Sequence, residues 1–525
     1  MTLVGQGARL TIDDAQGSRR TSLLTDGRVR FWIGALVVLG VAAGLFSRFA
    51  ITEGLRRDEA VFAYGGQQLA EGIPPYVSIL DAKTPLATFI SGAAVAVGRP
   101  LDLNDLDAIR LAFFVIACLT VVGIYVVGTL LFESQLAGIA SAVTFATFKG
   151  FAIDALGGPN AKTPGILFAV VATALLIRRQ WFWAGVAASL ALLVWQPLAI
   201  YAVLAVVAAL VMSGRSERWR NAGLAIAGIA IPGLATLLYF AAVGAFGELV
   251  EGAILLPTVG RLPASGDLPE RVTHIIRVAA ASYGLGGAII WAGLGLLVLL
   301  ISMRAWHLRA DRQPLRKDPL ILLVAAPLAV FVVISLLDFQ GYPDLYPLLP
   351  YAALGIGGGA ATALALVLGS GARDQVRFGA AAIAITLVIA ATWAWYSGPR
   401  PEETALRRQQ ADATAAASLL QPGETVRVLG TPAPLVLMNR RNPSSDIYLS
   451  AGIDQWVMKN TPGGFEGWTN AFLTDAPDMV IIGGWNGEFA GPTRRFLSEH
   501  YLPLQVGDLK LFVTPAILER SHGSG

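Results

Sequence analysis

Apolar residues fill the first 400 positions in long blocks broken by short polar stretches, and a different rhythm takes over after position 397. Crossing about 30 Å of hydrocarbon takes roughly 20 helical residues. The pattern predicts eleven such spans, near 31–50, 109–131, 135–153, 163–177, 181–195, 196–213, 221–243, 283–303, 319–337, 347–368 and 378–396. Two of these meet at Trp195-Gln196-Pro197, where proline would break a continuous helix, so a tight turn between spans is expected. The connections 51–108 and 244–282 are long and contain amphipathic stretches at 59–69, 85–97 and 270–281, which suit helices lying in the membrane interface. Beyond 397, the runs 425–430, 478–483 and 509–513 read as strands and 403–420 and 492–501 as helices. The expected organisation is a segment 1–30, a polytopic α-helical domain 31–396, a small α/β domain 397–520 and a frayed tail 521–525.

Composition sharpens that picture. Apolar residues make up 55% and charged residues 14% of the 525 positions. A soluble chain carries about 25% charged residues, so a single soluble domain and disorder are both excluded. Thirty-nine Lys and Arg against 36 Asp and Glu leave +3, too little excess for a nucleic-acid partner. One cysteine, Cys118, lies in an apolar run and reads as a small buried hydrophobe, with no disulfide or cysteine-rich metal site to form. Arginines gather in the N-terminal segment and in alternate connections, at Arg178, Arg179, Arg215, Arg218, Arg220, Arg304 and Arg309. By the positive-inside rule those are cytoplasmic, and an odd span count puts residues after 397 outside. The segment 1–30 is polar and precedes a full-length span, so it reads as a retained anchor of a multi-pass plasma or inner membrane protein.

Most of the expected spans contain no ionisable residue, which argues against an ion-coupled transporter. The charge available for chemistry lies in the outer connections. Arg56-Arg57-Asp58-Glu59 follows the first span almost directly, and a half-buried Asp58 suits a general base for an attacking hydroxyl. The competing reading has both carboxylates pairing with the arginines or capping the next helix. In Asp81-Ala82-Lys83-Thr84-Pro85, proline suits a helix start and sets Lys83 near headgroup level, as a phosphate contact or a snorkelling lysine. Arg271, His274 and Arg277 recur every three residues and form one basic row, fit for an anionic headgroup or for lipid generally. Tyr64, Tyr342 and Tyr346 could contact a sugar, although Tyr is also enriched at membrane interfaces. Trp456, Trp468 and Trp485 read as a sugar platform or as packing residues, packing being favoured.

Together these residues carry a resemblance. The string Arg-Arg-Asp58-Glu59-Ala-Val-Phe-Ala-Tyr64, then Glu71-Gly-Ile-Pro-Pro-Tyr76, then Asp81-Ala-Lys83-Thr-Pro-Leu86, resembles the first external loop of GT-C glycosyltransferases. The branch it is similar to is that of the dolichyl-phosphate-mannose protein mannosyltransferases and aminoarabinose transferases. Weaker support comes from Leu193-Val-Trp195-Gln196-Pro197, Gly341-Tyr342-Pro-Asp344-Leu-Tyr346 through Pro350, and Gly430-Thr-Pro with Asn439-Arg-Arg. The resemblance implies inverting transfer of one sugar from a polyprenyl-phosphate donor to a glycan, lipid or protein acceptor on the outer face. It implies Asp58 as general base, Glu59 as its neighbour in the pocket, and Lys83, with Arg271 and Arg277, on the lipid phosphate. Tyr64, Tyr76, Asp81, His274, Tyr342 and Tyr346 are further pocket candidates. No cofactor or metal site is expected, a divalent ion on Asp58 and Glu59 being the less favoured reading. A mannose- or arabinose-like sugar fits the Arg-, Ala- and Gly-rich composition of a GC-rich bacterium. Thr84, Trp195 and Asp344 depart from residues common in the family, and Lys162 stands where an acidic residue is common; that last exchange is one that reverses a structural ion pair. The rival readings are a lipid-linked glycan flippase or carrier, and a relic whose outer domain only binds.

Overall fold

A computed structural model describes residues 10–47, 53–259, 267–315, 318–368, 405–449, 452–485 and 487–523. The expected span 378–396 and the start of the expected outer domain lie outside them. Among the described residues six helices are long and apolar enough to cross a membrane: Arg28–Phe46, Asp105–Phe132, Arg218–Ala242, Leu285–Ala310, Leu320–Leu337 and Tyr342–Leu366. Shorter apolar helices pack among them: Leu86–Leu101, Gln135–Ala146, Lys162–Ile177, Trp181–Val194 and Gln196–Met212. The chain is a multi-pass membrane protein.

Differences from the expected spans have local causes. The block 135–153 is two helices, Gln135–Ala146 and Lys149–Gly157, because Phe148 takes a non-helical conformation with ψ 86°. The first helix begins at Leu10, well before the expected span. At Trp195 the backbone is extended (φ −157°, ψ 122°), and Gln196–Leu198 form a 3₁₀ turn into the next helix, so proline does end the preceding one. The amphipathic stretches of the long connections are the helices Arg57–Ala70, Leu86–Gly98 and Leu268–Tyr283.

The last part of the chain forms a four-stranded sheet of β1 (Val426–Gly430), β2 (Met479–Gly483), β3 (Leu502–Val506) and β4 (Leu509–Val513), in the order β1-β2-β4-β3. β1 and β2 are parallel, and β4 runs antiparallel to both β2 and β3. Every residue of β1 is buried, as a strand covered on both faces requires. Its one charged member, Arg427, is paired with Asp446 at 2.9 Å and Asp475 at 3.1 Å.

This sheet domain rests on the first long connection. Leu55, Val61, Tyr64, Ile79 and Leu80 share one apolar core with Val436, Ile447, Tyr448 and Ile453. Polar links pin the contact: Gln409 bonds both the N–H and the carbonyl of Leu55, Leu80 N–H donates to the Ser445 carbonyl, and Asn442 N–H donates to the Tyr64 hydroxyl. The sheet domain and the loop helices therefore share one packed core, and a groove lies between them and the membrane helices.

Candidate active site

That groove holds a cavity of about 230 Å³. It draws Asp58, Asp81 and Lys83 from the first connection, Lys162 from the start of a membrane helix, Trp195 and Gln196 from the turn between two others, Asp338 from the turn before Tyr342–Leu366, Asp344 from the first turn of that helix, and Tyr448 from the sheet domain.

Asp58 sits in the first turn of Arg57–Ala70, where a helix favours negative charge. Its side chain is half exposed to the cavity. Tyr448 donates its hydroxyl to Oδ1 at 2.6 Å, and the Lys83 ammonium lies 3.5 Å from Oδ2. Lys83, opposed by partial burial and helped by the Tyr448 bond, Arg57 and Lys162, pulls the Asp58 carboxyl down to about 2. Burial works against the charge on Lys83, yet Asp58 and Asp81 outweigh it and hold the ammonium above its ordinary value. Asp81 is buried beside them and raised, chiefly by burial. Burial followed by the Asp58 charge raises Tyr448, which keeps its phenol protonated as a donor.

The backbone around Lys83 is tied on three sides. Gln196 donates to the Ala82 carbonyl at 2.9 Å, Tyr76 to the Lys83 carbonyl at 2.7 Å, and Thr84 to the Leu192 carbonyl at 3.0 Å. Tyr76 holds a left-handed conformation (φ 68°) that a tyrosine tolerates only when its ring is well anchored, and here it packs against Phe240. Gly252 makes room for it: a Cβ there would lie 2.3 Å from the Tyr76 ring. The Lys83 ammonium also lies 5.1 Å from the centre of the Phe62 ring.

Across the cavity Lys162 and Asp344 form an ion pair, with the Lys162 ammonium 5.3 Å from the centre of the Trp195 ring. Asp344 also accepts the N–H groups of Gln340 and Gly341. Three positions noted as departures thus meet in one place. Both charges are mostly buried, so removing one partner leaves the other stranded. Lys162→Met and Asp344→Asn, whose amide oxygen can still accept a backbone N–H, are each expected to destabilise the protein by about 1–3 kcal/mol, and the two together by clearly less than the sum. Thermal unfolding in detergent, read as a double-mutant cycle, measures it; strictly additive losses would exclude a structural ion pair.

Other candidates stand elsewhere and are not among the residues lining this cavity. Glu59 is buried and accepts the Arg56 N–H at 3.0 Å, closing the helix start. Tyr64 is taken up by Asn442 in the domain contact. Tyr342 accepts from Arg56 at 2.7 Å, and Tyr346 donates to the Gly150 carbonyl at 2.8 Å. Arg271, His274 and Arg277 lie on Leu268–Tyr283, where Arg271 reaches the Leu336 carbonyl at 3.3 Å, His274 meets the edge of Phe339, and Arg277 is exposed. Trp468 and Trp485 are buried inside the sheet domain, which closes a sugar-platform role to them, while Trp456 donates to Glu251 at 2.8 Å across the domain contact. Sequence reasoning did not reach Tyr448, for its partner Asp58 stands 390 positions away and nothing near Tyr448 signals the pairing.

No protein-family model and no curated protein sequence matches the chain. Solved structures do. ArnT from Cupriavidus metallidurans, crystallised with undecaprenyl phosphate, superposes with a TM-score of 0.58 at 17% identity, over 93% of this chain and 98% of that one. Its apo form gives 0.57 at 17% identity, over 94% and 99%. This chain shares the fold of ArnT. At 93–94% of its length, the likeness takes in membrane helices and sheet domain alike. A weaker overlap, with the arabinosyltransferase EmbB from Mycobacterium smegmatis, has a TM-score of 0.35 at 13% identity over 86% of this chain and 45% of that one, and carries no weight here.

Proposed function

We propose that the protein is a membrane glycosyltransferase that moves one sugar, mannose- or arabinose-like, from a polyprenyl-phosphate donor to an acceptor on the outer face of the membrane. The single observation that carries this reading is the Asp58–Lys83 pair, 3.5 Å apart in a cavity between membrane helices and the sheet domain. ArnT, which shares the fold, was crystallised with undecaprenyl phosphate bound, and that supports a polyprenyl phosphate as the lipid half of the donor.

In the proposed reaction an acceptor hydroxyl attacks the anomeric carbon from the face opposite the phosphate. The new glycosidic C–O bond forms as the bond from the anomeric carbon to the phosphate oxygen breaks, the configuration inverts, and the hydroxyl proton passes to Asp58. The polyprenyl phosphate leaves with the bonding pair, and Lys83 neutralises the charge that gathers on it. Arg271 assists at the phosphate, which its reach to Leu336, next to the cavity residue Ser335, supports; Arg277, exposed and not among the cavity residues, is given no part in the step. Lys83 supplies the positive charge locally, so the reaction is written without a metal. Before the donor binds, Lys83 and Tyr448 hold Asp58 ionised and weakly basic. Once the phosphate draws Lys83 away, Asp58 loses its largest stabilising charge and becomes the stronger base that proton transfer needs.

Asp58 ionises at about 2 in the free protein, so kcat/KM, which reports the free enzyme, is expected to show no acid fall from this group between pH 4 and 8. Removing the Tyr448 hydroxyl takes away a bond that favours the charged form. Tyr448→Phe is therefore expected to move the acid fall upward in pH, and an unmoved profile would detach Tyr448 from the reaction. Mass spectrometry of cell-envelope glycans with and without the protein tests the reading as a whole: a missing terminal pentose or hexose names sugar and acceptor, and unchanged glycans count against it.

A further inference from the structure

Far along the helices from the catalytic cavity, two polar turns come together. One follows Lys162–Ile177 and leads into Trp181–Val194; the other follows Ala199–Met212 and leads into Arg218–Ala242. Between them lies a second cavity, of about 480 Å³, whose walls include Arg179, Trp181, Trp183, Ser213, Arg220 and Asn221.

The cavity is part of the helix packing. Trp181–Val194 and Arg218–Ala242 cross so closely that a Cβ on Gly185 would sit 2.2 Å from the Ala225 carbonyl oxygen, and one on Gly228 would sit 2.0 Å from that of Phe182. Only glycine at both positions lets the backbones touch, and this contact sets the first turns of the two helices side by side. Asn221, only 6% exposed, donates to the Ser213 hydroxyl at 2.9 Å and forms a polar inner wall.

The charge around it is one-sided. The two turns and the first turn of Arg218–Ala242 carry Arg178, Arg179, Arg215, Arg218 and Arg220 against one acid, Glu217, and of these Arg179, Arg220 and Glu217 line the cavity. The Arg220–Glu217 contact is 3.8 Å long with both side chains well exposed, a weak pairing that leaves Arg220 able to hold an anion. Arg179 adopts a left-handed conformation (φ 58°) just past a helix end, where glycine is the cheaper residue. Apolar groups flank the arginines on the outer side: Trp183 is 59% exposed and Leu224 41%. An arginine cluster beside exposed tryptophan and leucine at the ends of apolar helices matches the level of lipid headgroups.

We propose that this pocket binds an anionic phospholipid of the cytoplasmic leaflet, with Arg179 and Arg220 on the phosphate and Trp183 and Leu224 along the acyl chains. Basic pockets between membrane helices on the cytoplasmic side are suited to such headgroups. The apolar flank selects a lipid over free phosphate. The site has a route to the catalytic cavity, because the helix that starts at Trp181 ends at Val194, next to Trp195 and Gln196. The binding claim stands apart from the proposed sugar transfer and is measured without it.

The test uses the full chain in detergent, with lipid binding followed by native mass spectrometry and by the shift in thermal unfolding. Phosphatidylglycerol, phosphatidylcholine with the same chains, and inorganic phosphate are titrated separately. Phosphatidylglycerol is expected to bind at least tenfold more tightly than phosphatidylcholine, and inorganic phosphate to give no shift at the same concentrations. Arg179→Gln and Arg220→Gln should each weaken phosphatidylglycerol about fivefold, since a basic residue near an anionic membrane surface contributes about a factor of five. The Arg179→Lys/Arg220→Lys pair should keep most of the binding. Arg309→Gln, on another helix of the same face, should change nothing. Unfolding temperatures without lipid verify that every variant is folded. Equal affinity for the two lipids, an equal loss with Arg309→Gln, or protection by inorganic phosphate alone would each overturn the proposal.

Discussion

Asp58→Asn is expected to lower the rate of sugar transfer by about 10²- to 10⁴-fold while donor binding stays at or above its normal strength. Asparagine keeps the shape of the side chain, and its carbonyl oxygen still accepts from Tyr448, so the contact between sheet domain and loop survives. What disappears is the ability to take a proton. Lys83 loses its carboxylate partner at 3.5 Å and is freed for the donor phosphate, so KM for the donor should not rise. A fall in kcat without a rise in KM is the signature of a group that acts in the transition state. Initial rates with labelled donor, together with lipid binding measured separately, distinguish this from a general loss of structure.

Lys83→Met is expected to weaken donor binding by about tenfold to a hundredfold and to lower kcat as well. The unbranched methionine keeps the apolar stem beside Phe62 and removes only the charge. A charge-assisted hydrogen bond contributes about 1.5–3 kcal/mol, below the roughly 4 kcal/mol that bare attraction at 4 Å would give at an effective dielectric of 20. Because the same lysine stabilises the leaving phosphate, the loss extends from binding to chemistry. Lys83 is also the largest influence holding Asp58 low, so its removal must raise the Asp58 pKa. The acid fall in kcat/KM should accordingly appear at higher pH in Lys83→Met than in Tyr448→Phe. Binding of polyprenyl phosphate to the purified variant and its pH–rate profile verify the two effects independently.

Much of the scaffold was legible because bilayer and sheet impose strict periodicities. Long apolar blocks had to be helices, and Pro197 had to end one. The runs 425–430, 478–483 and 509–513 are β1, β2 and β4. β3 was missed: Leu502-Pro503-Leu504-Gln505-Val506 contains a proline that argues against a central strand, and it is in fact an edge strand paired only with β4. The first connection also announced Asp58, Asp81 and Lys83 as one group, since they lie within 26 positions along a segment whose turns are set by Gly72, Pro74, Pro75 and Pro85. Glu59 shows the limit of that signal. Adjacent carboxylates on a helix point about 100° apart, so Asp58 opens on the cavity while Glu59 turns inward to close the helix start. Tyr448, Lys162 and Asp344 reach the cavity through long-range packing, and no local pattern carries that information.

The reading turns on whether the lipid-sugar bond is broken. Purified protein in vesicles with a labelled polyprenyl-phosphate sugar and an acceptor extract tests this most directly, by counting free polyprenyl phosphate against sugar transferred. The account predicts one polyprenyl phosphate released for each sugar transferred, with both falling together in Asp58→Asn. Intact lipid-linked sugar crossing the bilayer with no release, or full release and transfer by Asp58→Asn, would contradict it.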